Sequence, residues 1–292
     1  MNKVSKYIVM LGCMTAFAAP AAAQAPQVPG GFTPLFDGYS LNGWKGDQRF
    51  WSVVDGAIVA KTPTKPEANS FLYYEKPYAN FELRYKYRWV APLGNSGVQI
   101  RSKPIAGNHD LTGLQVNVTP LDADNEGVVY KTERFNMLYN EKGDRQEMCL
   151  LGQRAEITRT TATGGGTGRV IRTVKEMVND RSAILDAVRS GPEWTEVVVI
   201  AFDNRIVSAV NGMLAFDCLD NDPVGFREGL IGLQLHTTSG THFEYKDIVI
   251  KPLISEPNFE GRFKTVVSPA PEPRVTYKDS TRAGLEDVAL PQ

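Results

Sequence analysis

Cysteine is almost missing from this chain. Three occur in 292 residues, and Cys13 falls in an N-terminal segment that reads as a removable leader. That leaves Cys149 and Cys218, too few for the disulfide framework that holds small secreted domains together. They either form one bridge in an oxidising compartment or stay as two buried thiols, and the sequence leaves both readings open. Histidine is equally sparse, at three residues, and no His-Glu-x-x-His or paired Cys-x-x-Cys spacing describes a zinc site. Charge of either sign is not in excess: 32 Lys and Arg stand against 33 Asp and Glu, a net charge of −1. Without a basic stripe, the footprint of a nucleic-acid partner is absent. Beyond the leader no apolar run is long enough to span a bilayer, and no internal repeat is found.

Three chemical signatures are also missing. The Gly/Thr-rich stretch ending Gly164-Gly165-Gly166-Thr167-Gly168-Arg169 lacks the Gly-Lys-Ser/Thr of a phosphate-binding loop, which argues against a nucleotide site. No Glu-x-Asp-x-x-Glu strand supplies the carboxylate pair of a retaining glycosidase; Asp122, Asp124 and Glu126 are wrongly spaced for it. Asp122 to Glu133 has the spacing of an EF-hand loop, with glutamate at the fifth position. However, the approach through Leu114 to Val118 is strand-like and Pro120 interrupts it, so the entering helix is not there.

What is present begins with a leader. Lys3 and Lys6 precede an apolar run from Tyr7 to Pro20, and Ala21-Ala22-Ala23-Gln24-Ala25 offers small-residue cleavage sites. Residues 1–25 therefore read as a secretory signal peptide, and the mature chain is expected in the periplasm or outside the cell. A lipid anchor at Cys13 is the lesser alternative, because the apolar stretch ahead of it is short.

The body is a series of short strands separated by turns. Asp55-Gly56 and Asn211-Gly212 sit between apolar runs, the strongest short-range hairpin signal. Phe81 to Trp89 alternates apolar on odd positions and charged on even ones. Leu114 to Val118 alternates again. Thr195 to Phe202 is nearly all apolar and reads as a central strand. Ile171 to Val178 and Ser182 to Val188 read as helical, with Asp180 as N-cap. This predicts an all-β, antiparallel two-sheet sandwich over residues 33–252, a short helical insertion at about 161–191, and an extended or disordered tail at 253–292.

Two distant segments share a pattern. In Gly94 to Arg101 and in Gly229 to His236 the apolar residues recur every second position (Val98, Ile100; Ile231, Leu233, Leu235). Gln99 and Arg101, and Gln234 and His236, then face the other way. Strands of this kind laid in one sheet give a dry back and a hydrogen-bonding front. Any half-exposed antiparallel sheet alternates likewise, so the pattern by itself selects no function.

Ordered motifs add more. They are Leu35-Phe36-Asp37-Gly38 through Trp44, Trp51 to Gly56, Asn80-Phe81-Glu82-Leu83, Gly94 to Val98, Gly113 to Asn117, Gly127 to Tyr130 with Glu133-Arg134, Glu193 to Glu196, Val210-Asn211-Gly212, and Gly229 to Lys251. In this order they resemble the 3-keto-disaccharide hydrolase domain family. Asn117 departs from it by standing where aspartate is expected, as does Thr195 in place of asparagine. The resemblance implies a concanavalin A-like jelly roll and a substrate glycoside already oxidised at C3. The ketone acidifies the C2 proton, and its removal expels the C1 substituent by β-elimination, with water completing net hydrolysis.

Such chemistry needs a base near C2, donors on the C3 oxygen and an acid for the leaving oxygen. On this resemblance His236 is the first candidate base and Glu133 the second. Arg101 suits the developing enolate oxygen, and Tyr130 the leaving group. Asn95, Gln115, Asn117, Arg134 and Gln234 would hold sugar hydroxyls. No particular cofactor is assigned, and a divalent metal on His236 and a carboxylate is left open. The expected partners are the 3-oxidised glycoside and, functionally, a sugar 3-dehydrogenase. A non-catalytic carbohydrate-binding module and an ordinary glycoside hydrolase are the competing readings. His109 and His242 read as structural or exposed, and the four tryptophans as core.

Overall fold

The computed structural model describes residues 28–91, 94–106, 109–118, 124–125, 128–129, 137–141, 144–160, 170–189, 193–270, 274–278 and 286–289. The main strands are β1 (Trp44–Gly46), β2 (Trp51–Val54), β3 (Ala57–Lys61), β4 (Ser70–Tyr78), β5 (Phe81–Ala91), β6 (Ser96–Pro104), β7 (Leu111–Val118), β8 (Met137–Glu141), β9 (Asp144–Cys149), β10 (Gln153–Arg159) and β11 (Val170–Met177). After helix α1 (Arg181–Arg189) come β12 (Thr195–Phe202), β13 (Arg205–Val210), β14 (Met213–Asp220), β15 (Gly229–Leu235), β16 (His242–Pro252), β17 (Arg274–Lys278) and β18 (Glu286–Ala289).

Two sheets stack into a jelly-roll sandwich. The front sheet has seven strands in the order β9-β8-β7-β6-β15-β4-β1. The back sheet runs β18-β17-β11-β10-β14-β13-β12-β5-β16-β3-β2. Inward-facing residues of both fill one core: Phe81, Leu83 and Tyr85 from β5, Val98 and Ile100 from β6, Leu114 and Val116 from β7, Ile231 and Leu233 from β15. The two anticipated hairpins form as the turn chemistry requires. Asp55 and Gly56 have φ of 49° and 77°, and Asn211 and Gly212 46° and 77°, the left-handed pair of a type I′ turn.

The continuous apolar run of β12 has a structural cause. Val197, Val199 and Ala201 enter the main core. Val198 and Ile200 face outward, where Leu253, Phe259 and Phe263 of the following segment cover them together with Val207 and Leu214. A strand buried on both faces needs apolar residues at both parities.

Two expectations are corrected. Ile171 to Val178 is a strand, not a helix: β11 pairs antiparallel with β10 and, through Val170 to Thr173, with β17. Its β-branched residues fit a pleated, half-buried surface better than a helix, and β10 supplies the partner edge. Only α1 is helical here, with Asp180 Oδ1 accepting from the Ser182 amide at 2.7 Å. Nor is every pairing antiparallel, because β10 runs parallel to β14, Arg154 opposite Asp217. Cys149 and Cys218 are buried free thiols. The hydrogen bond its thiol donates to Cys149, reinforced by burial, pushes the Cys218 thiol well above its ordinary range. Among the described residues no helix is long and apolar enough to cross a membrane.

Candidate functional site

The front face of the front sheet carries a row of amides. Gln99 on β6 lies opposite Gln115 on β7 and Gly232 on β15; Gly97 lies opposite Asn117. Extending the β6–β15 register sets Gln234 across from Gly97 and His236 across from Asn95. Gly97 makes the row continuous. A Cβ there would sit 2.6 Å from Gln115 Nε2 and 2.8 Å from its Cγ, so the bare backbone is the space in which the Gln115 side chain lies. From it Gln115 Nε2 donates to Asn117 Oδ1 and to Gln234 Oε1, both at 2.9 Å. Gln99 Nε2 donates to the Leu111 carbonyl at 3.4 Å and to Gln115 Oε1 at 3.5 Å, while Gln99 Oε1 is buried without a partner.

These bonds separate two residues of like composition. Gln115→Met would leave two buried carbonyls without their donor, at a cost of about 2–4 kcal/mol. Gln99→Met removes an orphaned acceptor and is expected within about 1 kcal/mol of the parent, or above it. Urea midpoints of the two variants test this; equal losses would mean that the Gln99 carbonyl is bonded in solution.

His236 sits at one end of the row, half-buried. Its Nδ1 lies 3.1 Å from Thr238 Oγ1, and its carbonyl accepts from the Thr238 amide at 2.7 Å. The turn that follows is clamped to Thr62. The Thr62 hydroxyl donates to the Thr238 carbonyl at 2.6 Å and accepts from the Thr241 amide at 3.0 Å. Backbone bonds join Thr62 to Thr241 and Gly240 as well. Gly94, at φ 96°, packs on this turn so closely that a Cβ would meet Thr241 Oγ1 at 2.6 Å. The Gly94-Asn95 turn is thereby held beside the His236 turn. Beneath the row, Ser96 Oγ donates to the Gln234 carbonyl at 2.7 Å and meets the Tyr245 hydroxyl at 2.9 Å, tying β6, β15 and β16 together in the core.

Arg101 does not join them, and this corrects the expectation that alternation aims it forward. It has φ of 50°, and the β6–β7 register shifts between Ile100 and Lys103. This β-bulge turns the side chain off the front face. Arg101 is wholly buried, donating to the carbonyls of Ala79 at 2.9 Å, Asp203 at 2.7 Å and Phe226 at 3.4 Å, and to Asn80 Oδ1 at 3.4 Å. Burial, aided by the nearby Arg227, lowers its pKa to about 10. It is a plug between hairpins at one end of the sandwich.

The other candidates divide. Gln115, Asn117 and Gln234 are hydrogen-bonded together, and Asn95 and His236 flank them. Tyr130, Glu133 and Arg134, with the EF-hand-like segment's side chains, lie outside the described residues. Among the described residues no group of three or more His, Cys, Asp or Glu gathers to hold a metal ion. His242 belongs to the back sheet, 3.2 Å from Glu244 Oε1, and burial and Lys61 depress its pKa. Trp44 and Trp51 are core, but Trp194 is half-exposed between Arg88 and Lys246, 4.5 and 4.0 Å from its ring. Gln99 and Thr238 are the residues that the sequence reading left off the site list. Gln99 was legible by parity with Gln234, while Thr238 had no signal beyond its nearness to His236.

Comparison with known proteins identifies the family of the chain. Residues 31–251 match the 3-keto-alpha-glucoside-1,2-lyase-like domain. The chain belongs to that family. A relative from Bacteroides thetaiotaomicron, a 3-keto-disaccharide hydrolase, is 25% identical over 252 residues, covering 79% of this chain and 81% of its own. Among solved structures, a candidate glycosyl hydrolase of Parabacteroides distasonis is 18% identical, covering 79% of this chain and 100% of its own, with a TM-score of 0.49. A Bacillus subtilis protein of unknown function with a galectin-like fold is 11% identical, covering 75% and 94%, with a TM-score of 0.43. In this member of the family the front-face row is built from carboxamides, with asparagine at 117.

Proposed function

We propose that this chain is an exported enzyme that cleaves the glycosidic bond of 3-keto-glycosides by removing the C2 proton. The observation that carries the reading is the front-face amide row ending at His236 in a chain of this family. Carboxamides both donate and accept, which suits neutral sugar hydroxyls. An imidazole exchanges protons near neutral pH. His236 takes the C2 proton; the C1–O bond breaks as the C1=C2 bond forms; water then adds at C1 and a proton returns to C2. Tyr130 is the candidate for protonating the leaving oxygen, and Glu133 is the alternative base. With Arg101 withdrawn to the sandwich end, the amide donors of Gln234 and Asn95, which flank His236, take over the developing charge on the C3 oxygen.

The N-terminal leader motivates export, to the periplasm or beyond. The substrate's chemistry motivates a functional partner: an oxidoreductase that converts the C3 hydroxyl of the sugar to a ketone. Paired native and 3-oxidised disaccharides test the reading. Cleavage of the oxidised member alone is expected, since without the ketone the C2 proton is too weakly acidic for imidazole. Equal cleavage of both would favour an ordinary glycosidase, and binding without turnover a carbohydrate-binding module.

A further inference from the structure

We propose that Cys149 and Cys218 are the partners of one disulfide between the two sheets, made while the chain folds in an oxidising compartment and sealed once the core closes. The compartment rests on the export reading above; the pairing rests on the fold. Cys149 ends β9 in the front sheet, and Cys218 lies in β14 of the back sheet. The chain crosses between the sheets directly after Cys149. The Gln153 amide closes the turn on the Leu150 carbonyl at 3.1 Å, and the Gly152 amide anchors it to the Ala215 carbonyl at 2.7 Å. β10 then runs beside β14 with Ala155 opposite Cys218. Both cysteines enter the main core from their own sheets. Cys149 Sγ lies 3.4 Å from the Gln153 carbonyl oxygen and 3.8 Å from that of Asp217, and the Cys218 thiol donates to Cys149. Sulfurs in hydrogen-bond contact need to approach by only about 2 Å more to reach the disulfide bond length. The remaining cysteine of the chain, Cys13, lies in the leader, so export leaves each of the two with no other partner in the chain.

The structure holds the pair reduced, and its burial dictates when oxidation occurs. The oxidant is a small-molecule or protein disulfide. One cysteine thiolate attacks it, forming a mixed disulfide and releasing one thiol. The second cysteine attacks the protein sulfur of that mixed disulfide and expels the other thiol. Two protein thiols thus give up two protons and two electrons, and the oxidant's disulfide becomes two thiols. Each step needs a thiolate within reach of the sulfur it attacks. The folded chain denies both requirements, because Cys149 and Cys218 are wholly buried and burial holds the Cys218 proton in place. The reaction therefore belongs to folding, before the core closes, and the finished bond is shielded from reductant by the same packing. It would close a loop of about 70 residues, which in the chain-entropy account lowers the unfolded population by as much as roughly 1,000-fold.

Refolding the full chain, with Cys13→Ser to remove the leader's thiol, tests this without a cell. Reduced, denatured chain is refolded in a mixture of reduced and oxidised glutathione, quenched in acid, alkylated and weighed. A product two hydrogen atoms lighter than the reduced chain is expected, with the Cys149 and Cys218 peptides joined in a digest. The same mixture added to chain already folded in the reduced state should leave both thiols free over the time that refolding takes. The oxidised form should unfold at higher urea than the reduced form. Two alkylated thiols after redox refolding overturn the proposal, as does a bond between two chains in place of one within a chain. Oxidation of the folded chain as fast as during refolding overturns the sealing, and an oxidised form that unfolds at lower urea would show that the bond strains the core and overturns the pairing. The export premise is judged separately, by where the chain made with its leader accumulates: retention inside the cell would refute export while the refolding result still decides the pairing.

Discussion

Replacing His236 by alanine is expected to lower turnover of a 3-keto-glucoside by about 100- to 10,000-fold, the range for a positioned acid or base, while the chain stays folded. The two halves of this expectation have separate physical grounds. Turnover falls because the row around His236 consists of carboxamides, which hold hydroxyls but do not exchange protons near neutral pH. Folding survives because the ring is half-buried and its hydrogen bond to Thr238 is worth about 1 kcal/mol. The Thr62 clamp, which fixes the turn through main-chain atoms, does not depend on the imidazole. Steady-state kinetics beside a urea melt separate the two. Full activity in His236→Ala would transfer the role of base to Glu133.

Arg101→Met is expected to do the opposite: to cost about 2–4 kcal/mol of stability, as removal of a donor from two acceptors does, without a specific catalytic defect in what folds. Arg101 joins the β4–β5 hairpin at Ala79 and Asn80 to the β12–β13 hairpin at Asp203 and to Phe226. Deleting the guanidinium takes the donor from the Ala79 and Asp203 carbonyls, whereas the Phe226 carbonyl keeps a bond from Arg227 Nη1 and Asn80 Oδ1 one from the Asp203 amide. Gly229 faces the backbone there at close range, where a Cβ would lie 2.4 Å from the Arg101 carbonyl carbon, so the region cannot easily close around the gap. Arg101→Lys should rescue little, since one ammonium lacks the fork that spans these acceptors. A variant of unchanged melting behaviour but abolished turnover would return Arg101 to the site.

Much of the fold was legible because its signals are local. Asp55-Gly56 and Asn211-Gly212 need left-handed backbone and obtain it, and the alternation of Phe81 to Trp89 became an inward row of Phe81, Leu83, Tyr85 and Tyr87. The amide face followed from the same period of two at Gln99, Gln115 and Gln234. That period also misled at Arg101, where one extra residue in the strand reverses the parity; a bulge has no reliable mark in a sequence. Ile171 to Val178 was misread because a short apolar pattern fits either element until a partner edge decides, and that edge, β10, is distant in neither sequence nor space but gave no clear alternation of its own. The parallel pairing of β10 with β14 depends on how the chain returns between them, which no local residue encodes. Gly97 shows the limit at the site: its role is to be empty so that Gln115 can lie there, and that becomes visible only with both strands in register.

The central claim is that the amide row and His236 break the glycosidic bond by removing the C2 proton. The most direct measurement uses a 3-keto-glucoside carrying deuterium at C2, turned over in ordinary water and sampled early, with the labelled product alone as the control for background exchange. Elimination through C2 predicts that the deuterated substrate is cleaved several-fold more slowly than the protiated one, and that the released 3-keto sugar has lost deuterium to the extent that His236 exchanges with water before the proton returns to C2. A product that retains the label while the bond is cleaved at the full rate would contradict the account.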